Sequence, residues 1–96
     1  MSALMIALVQ VKDPAKLQAY SAAAGPTILA AGGQVLGRGK RVATLCGAVS
    51  PDATLIARFP SADAARSWYD SAAYQALIPL RDEAMVASFY VVEEPA

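Results

Sequence analysis

The side chains of this chain that could do chemistry are Tyr20, Arg38, Arg58, Trp68, Tyr69, Tyr74 and Arg81, and they match no familiar catalytic set. The sequence has no histidine and a single cysteine, Cys46. Without histidine there is no ordinary zinc, haem or serine–histidine centre, and one thiol cannot build a thiolate cluster. Gly37-Arg38-Gly39 and Gly32-Gly33 do not form a dinucleotide-binding fingerprint, and no GxxxxGK run is present to cradle a nucleotide phosphate. No common cofactor is signalled. Carboxylates lie at helix starts and in the tail, and no pair has the helical or strand spacing of an acid–base couple.

Arg38 is the best single candidate for contact with a ligand. Flanking glycines remove side chains that would crowd it, and a planar guanidinium fork suits a carboxylate or enolate oxygen. The alternative is a strand arginine paired with a surface acid such as Asp82 or Glu83. Tyr20 falls on an apolar stripe, where packing in the core is the default and a buried hydroxyl needs a partner. Trp68 and Tyr69 are expected to pack the second helix. Tyr74 and Arg81 fall near one face of a short helix, where they frame a pocket mouth or cap a sheet edge or subunit seam. Arg58 alternates with apolar neighbours in a strand and needs a partner on the face it points to. Cys46, in a glycine-containing loop without a cationic activator, is expected to be inert.

These side chains need elements to hold them. An apolar run from about Ala3 to Val11 reads as the first strand. Asp13-Pro14 follows, a carboxylate able to cap free amides and a proline suited to the first helical position. Leu17, Tyr20, Ala24, Ile28 and Ala31 recur at spacings of three and four, which predicts a helix ending at Gly32-Gly33. Gly25-Pro26 interrupts that stripe and predicts a kink or a split. Gln34 to Lys40 reads as a second strand carrying Arg38. Arg41 to Asp52 reads as a loop, with Val42 to Leu45 a candidate extension of the strand, and Thr54 to Phe59 reads as the third strand. Pro60-Ser61 and Asp63 start a second helix through about Tyr69. Asp70-Ser71 opens a short helix bearing Tyr74, Leu77 and Ile78 that Pro79 interrupts, and Ala87 to Val92 is the last strand. The order β-α-β-β-α-β is that of the ferredoxin-like α+β arrangement, an antiparallel sheet with both helices on one face.

The first strand is apolar on both sides, with Leu4, Ile6 and Leu8 on one and Met5, Ala7 and Val9 on the other. A half-solvated antiparallel strand alternates apolar with polar residues. The face that the helices leave open, taken to carry Met5, Ala7 and Val9, therefore needs a cover. A chain of 96 residues makes one domain, spanning 1–96, with no room for a second, so the cheapest cover is another copy of itself. Two such sheets packed face to face would form a homodimer, with the more than about 2,000 Å² of total buried area usual for obligate dimers. A hydrophobic fraction of 56% and a mean hydropathy of +0.39 agree with that, although many of the apolar residues are alanine. Eight basic and eight acidic side chains give no net field to attract nucleic acid or an anionic membrane. One cysteine rules out an internal disulfide and suits a reducing compartment. The first residues lack a signal peptide's basic region and cleavage site, and no apolar run approaches the roughly 20 residues that span a bilayer. The expected location is the cytoplasm.

The run AAGPTILAAGGQVLGRG, followed by FPSADAARSWYDSAAYQALIPLR, resembles the domain of unknown function 1330 family, within the dimeric α+β barrel superfamily. The resemblance covers nearly the whole chain and rests on Ala24-Gly25-Pro26, Gly32 to Gly39, Phe59-Pro60-Ser61 and Trp68 to Arg81. It implies a ferredoxin-like protomer in a barrel-like dimer. It selects no reaction, since the superfamily includes cofactor-independent monooxygenases, haem-degrading enzymes, chlorite dismutase-like proteins and ring-isomerising enzymes. Cys46 and Arg58 stand where glutamates are common in the family, and Ala31 where a histidine is, which removes acid–base candidates.

Taken together, the residues predict a homodimer with a helix–sheet pocket in each protomer for a small anionic or aromatic molecule. Arg38 would contact the anion, Tyr20, Trp68 and Tyr74 would form walls, and Arg81 would lie near the mouth. For an enzyme, a cofactor-independent oxygenation or isomerisation of an enolisable substrate fits, with Arg38 steadying the oxyanion. The alternative is a non-catalytic dimeric binding or structural module, with Arg38 and Arg81 in interface salt bridges and a dry, filled helix–sheet interior.

Overall fold

A computed structural model describes residues 1–95. The chain runs β1 (Ala3–Val11), α1 (Pro14–Ala30), β2 (Gln34–Lys40), β3 (Ala53–Phe59), α2 (Ala62–Asp70), α3 (Ala72–Gln75), α4 (Ile78–Ala84) and β4 (Met85–Glu93). The strands form one antiparallel sheet in the order β2-β3-β1-β4, so the fold is α+β and ferredoxin-like. Among the described residues, no helix is long and apolar enough to cross a membrane.

Strand parity sorts the side chains. Met5, Ala7 and Val9 of β1 are buried, together with Ala57 and Phe59 of β3, against Tyr20, Ala24 and Ile28 of α1 and Ala65 and Trp68 of α2. This corrects the expectation that Met5, Ala7 and Val9 lie on the open face. Both sides of β1 are apolar, so its composition could not choose the side; the helices select the odd positions, where the small Ala3, Ala7 and Ala57 admit large aromatics from α2 and α3. The open face carries Leu4, Ile6 and Leu8 instead. Ile6 stands between Ile56 and Tyr90, and Leu4 between Arg58 and Val92. Arg58 finds its partner there in Glu94, by a bidentate pair at 2.7 and 3.0 Å.

The Asp13 carboxylate accepts the Lys16 amide at 3.1 Å, and Pro14 occupies the first turn, so α1 starts where predicted. It does not split at Pro26; a single helix runs to Ala30. The proline lies on the exposed side, where the Ala22 carbonyl that loses its helical donor meets water. Gly32 ends the helix at φ 83°, a conformation that side chains disfavour, and the next amide, Gly33, returns to the Ile28 carbonyl at 2.9 Å.

Ser61 caps α2 by accepting the Ala64 amide at 3.0 Å. Pro79 does not interrupt a helix as expected but sits in the first turn of a new one, α4, where its missing N–H costs nothing. Tyr74 and Arg81 therefore stand on separate helices, α3 and α4, and not on a shared one. The 41–52 segment forms no strand, and it is tied down by the Arg41 amide on the Asp52 carbonyl at 3.0 Å and the Val11 amide on the Asp52 carboxylate at 2.8 Å.

Gly33 is packed between Phe59 of β3 and Ile28 of α1. A Cβ there would stand 2.7 Å from the Phe59 ring and 2.8 Å from Ile28 Cγ2. Gly33→Ala should destabilise the protein by about 1–3 kcal/mol through overpacking, read as a lower midpoint with unchanged slope in chemical denaturation. A wild-type midpoint would show that the packing around Gly33 is looser than described.

Candidate functional site

A cavity of about 710 Å³ opens between α1 and the sheet. Its floor is Met5, Ala7 and Val9, and its walls include Tyr20, Ile28 and Trp68. It exists because β2 is an edge strand exposed along its length, while the side of α1 facing it presents Ser21, Ala24 and Gly25, which are too small to fill the wedge. A bulge at Leu36 sets the register in which Arg38 pairs with Leu55 and Lys40 with Ala53, so both cations take the helix-side parity and line the cavity. Gly37 and Gly39 pair with Ile56 and Thr54 and belong to the opposite face. Both leave room beside the strand, and Gly39 lines the cavity next to Arg38. They bare the open face, where a Cβ on either would meet nothing within 4 Å.

Among the described residues, neither Arg38 nor Lys40 lies within ion-pair distance of a carboxylate. The cavity lining contains no Asp, Glu or Cys. The result is an apolar chamber whose charged groups are all cationic. Lys40 was missed in the sequence, although its place two residues after Arg38 on a strand puts it on the same face.

Behind the cavity lies a hydrogen-bonded cluster. The Tyr20 and Tyr74 hydroxyls are 2.7 Å apart, and Arg81 Nη1 donates to Tyr69 at 2.9 Å and to Tyr74 at 3.4 Å. Tyr74 is fully enclosed, 4.4 Å from Trp68 between ring centres. Trp68 is fixed in turn by its indole N–H on Thr27 Oγ1 at 3.0 Å. Arg81 also lies over the rings of Phe89 and Tyr69 at 5.7 and 5.8 Å. Burial raises the pKa of Tyr20, helped by its bond to Tyr74. Burial also raises that of Tyr74, against the lowering effect of its bonds to Tyr20 and Arg81. Desolvation opposes the charge on Arg81, but the tyrosine oxygens outweigh it and hold its pKa above the ordinary value.

The structure thus gathers Arg38, Tyr20 and Trp68 around one cavity, with Tyr74 behind Tyr20 and not on the wall. Arg81 faces a second, smaller cavity of about 350 Å³ beyond Trp68 and Phe89, shared with Tyr69, Arg66 and Asp70. Cys46 is exposed in the 41–52 segment and is not part of this lining. Among the described residues, no group of His, Cys, Asp and Glu side chains could hold a metal ion.

The model of the family described as Domain of unknown function (DUF1330) matches residues 2–95. The chain belongs to that family. Its fold is shared with the RPA0582 protein of unknown function from Rhodopseudomonas palustris, with 21% identity and a TM-score of 0.81 over 99% of this chain and 83% of that one. SnoaB, a cofactor-independent oxygenase from Streptomyces nogalater, superposes with 10% identity and a TM-score of 0.73 over 99% of this chain and 94% of its own. A dimeric protein of unknown function with a ferredoxin-like fold from Bacteroides fragilis NCTC 9343 gives 12% identity and a TM-score of 0.58 over 97% and 96% of the two chains. At these identities the likeness is one of fold. No curated protein is significantly similar in sequence.

The raised tyrosine pKa values have a measurable sign. Folding favours neutral Tyr20 and Tyr74, so their contribution is present in full below the unfolded tyrosine pKa of about 10 and is lost as pH rises through their higher folded values. In the native protein at pH ~10, Tyr20→Phe should leave the phenolate absorbance unchanged, and Tyr74→Phe should lower it by less than the half-ionised signal of an exposed tyrosine. A drop of that full size in either variant would show that the hydroxyl ionises normally and is not sequestered.

Proposed function

We propose that this protein is a homodimer that binds a small aromatic molecule bearing an anionic oxygen in each helix–sheet cavity. The observation that carries this reading is the chamber itself, apolar on its floor and walls, with Arg38 and Lys40 on the β2 side and no carboxylate paired to either among the described residues. A filled interior, as a purely structural module would have, is not what lies between α1 and the sheet. Arg38 supplies a planar fork for a carboxylate or oxyanion, and Trp68 and Tyr20 supply flat walls for a ring. For turnover, a readily enolised substrate suits the site, because the lining holds no carboxylate, thiol or imidazole and its titratable groups are Tyr20, Arg38 and Lys40. Cofactor-independent oxygenation or isomerisation of an enolisable ring is the chemistry that fits, with Arg38 stabilising the charge that develops on oxygen. SnoaB supports this only through a common fold.

The dimer is supported by the open face. Ile6, Ile56, Tyr90 and Val92 form an apolar surface in which Tyr90 is 48% exposed, and Val42 and Leu45 of the 41–52 segment are 95% and 96% exposed. Burying such a surface against a copy of itself removes it from water at about 25 cal/mol per Å². The exposed free thiol of Cys46 fits a reducing compartment, and we assign the protein to the cytoplasm.

A thermal-shift comparison with para-nitrophenolate as probe tests the site. Wild-type protein should gain about 2.7 kcal/mol at a probe concentration about 100 times Kd. Arg38→Ala should bind about 10- to 100-fold more weakly, the loss of one charged hydrogen bond, while remaining dimeric. Equal affinity in the two proteins would remove Arg38 from the site. For the assembly, Ile6→Glu should convert the dimer to a monomer in sedimentation velocity, whereas a wild-type protein that is already a stable monomer at micromolar concentration would refute the dimer.

A further inference from the structure

The buried cluster of two tyrosines and an arginine has only one arrangement of protons that leaves no enclosed donor stranded. Arg81 is a permanent cation with donors and no acceptor, so its contact with Tyr74 at 3.4 Å can only run from Nη1 to the hydroxyl oxygen. Tyr74 is fully enclosed, and among the described residues the one acceptor bonded to its hydroxyl is the Tyr20 oxygen at 2.7 Å. Were the shared proton to come from Tyr20 instead, the Tyr74 oxygen would accept twice and its proton would be left unbonded in the core, at the full cost of a buried unsatisfied donor. Tyr20, by contrast, lines the large cavity, and among the described residues its hydroxyl has no partner other than Tyr74. With its oxygen occupied by Tyr74, its own proton has no acceptor within the cluster, and the space that Tyr20 adjoins is the cavity.

We propose that Arg81 and Tyr74 are positioning residues that orient and polarise the Tyr20 hydroxyl as a hydrogen-bond donor into the cavity, which selects ligands presenting an acceptor oxygen there. This rests on the reading of the cavity as a binding site and adds a second contact to it. Arg38 draws the anionic oxygen from the β2 side, and Tyr20 donates from the α1 side to a carbonyl, enolate or phenolate oxygen. Donation from Arg81 to Tyr74 and from Tyr74 to Tyr20 runs in one direction, and each bond strengthens the next. Arg81 thereby acts on a cavity that it does not line. Tyr69 fixes the same guanidinium nitrogen at 2.9 Å, and Phe89 supports its plane at 5.7 Å, so the head of the chain is held in place.

Neutron diffraction from deuterium-exchanged crystals of the unliganded wild-type protein reads the direction without any ligand. The Tyr74 deuteron is expected on the line to Tyr20 Oη, and the Tyr20 deuteron is expected to point into the cavity. A shared deuteron belonging to Tyr20 overturns the proposal whatever the cavity binds. With para-nitrophenolate as probe, Tyr20→Phe should weaken binding about tenfold, roughly one hydrogen bond. Tyr74→Phe should weaken it several-fold when Tyr20 is present and not at all in the Tyr20→Phe background, because its effect passes through that hydroxyl. Equal losses in the two backgrounds would make Tyr74 merely structural and overturn the positioning role. An Arg38→Ala variant with undiminished affinity removes the anion contact itself, a failure that leaves the proton direction standing on the neutron result.

Discussion

Helices can cover only one face of this sheet, and every other feature of the molecule is arranged around that constraint. Strand parity then divides the chain into residues that meet α1 and α2 and residues that do not. The odd positions of β1 and β3 meet the helices and are small or straight enough to accept aromatic neighbours, with Ala3, Ala7, Met5 and Ala57 below Trp68, Phe59 and Tyr74. The even positions are larger aliphatics, Leu4, Ile6, Leu8 and Ile56, lying opposite Tyr90 and Val92. A solvated sheet face built from such residues runs against the usual alternation. The apolar composition of β1 on both sides and the small residues of α1 at the cavity are therefore two results of one division of labour.

The cavity follows from where the helices stop. α2, α3 and α4 cover the β4 side of the sheet with Trp68, Tyr69 and Tyr74, while α1 meets β2 with small residues and leaves it exposed. The two sides of the helical layer are joined by hydrogen bonds and not by packing alone, through Trp68 to Thr27 and through Tyr74 to Tyr20. Both bonds connect α1 to the second half of the chain across long sequence separations, so the helix that walls the cavity is positioned by polar contacts with defined geometry. The aromatic cluster supplies the burial, and the hydroxyls supply the register.

Much of this was legible in the sequence. Asp13-Pro14, Gly32-Gly33 and Ser61 mark helix ends by local chemistry, which depends on neighbours within a few residues and survives folding unchanged. The glycines flanking Arg38 are visible in the sequence, but its place on the cavity side comes from the pairing with Leu55, which a bulge at Leu36 sets. Which face of β1 would be open could not be read from a strand apolar on both sides, since the choice is made by what α1 and α2 bring to it. Pro79 illustrates the same limit. A proline signals equally the end of one helix and the first turn of the next, and only the chain path through Leu77 decides between them. The separation of Tyr74 from Arg81 onto two helices follows from that choice, and with it the contact that joins them.

The second cavity makes the arrangement asymmetric in a way that bears on how the site is built. Met5, Trp68 and Phe89 line both chambers, so one thin aromatic wall separates a space facing Arg38 from a space facing Arg81. The two arginines are held very differently. Arg38 stands exposed on an edge strand without an ion-pair partner among the described residues, whereas Arg81 is clamped by Tyr69, Tyr74 and Asp82. A guanidinium already bonded on several sides offers little to a ligand but fixes its neighbours, and an unbonded one offers its whole fork. The resemblance between the two residues ends at their chemistry. Their surroundings leave one open and hold the other fast, and the tyrosine pair links Arg81 to α1 through hydrogen bonds.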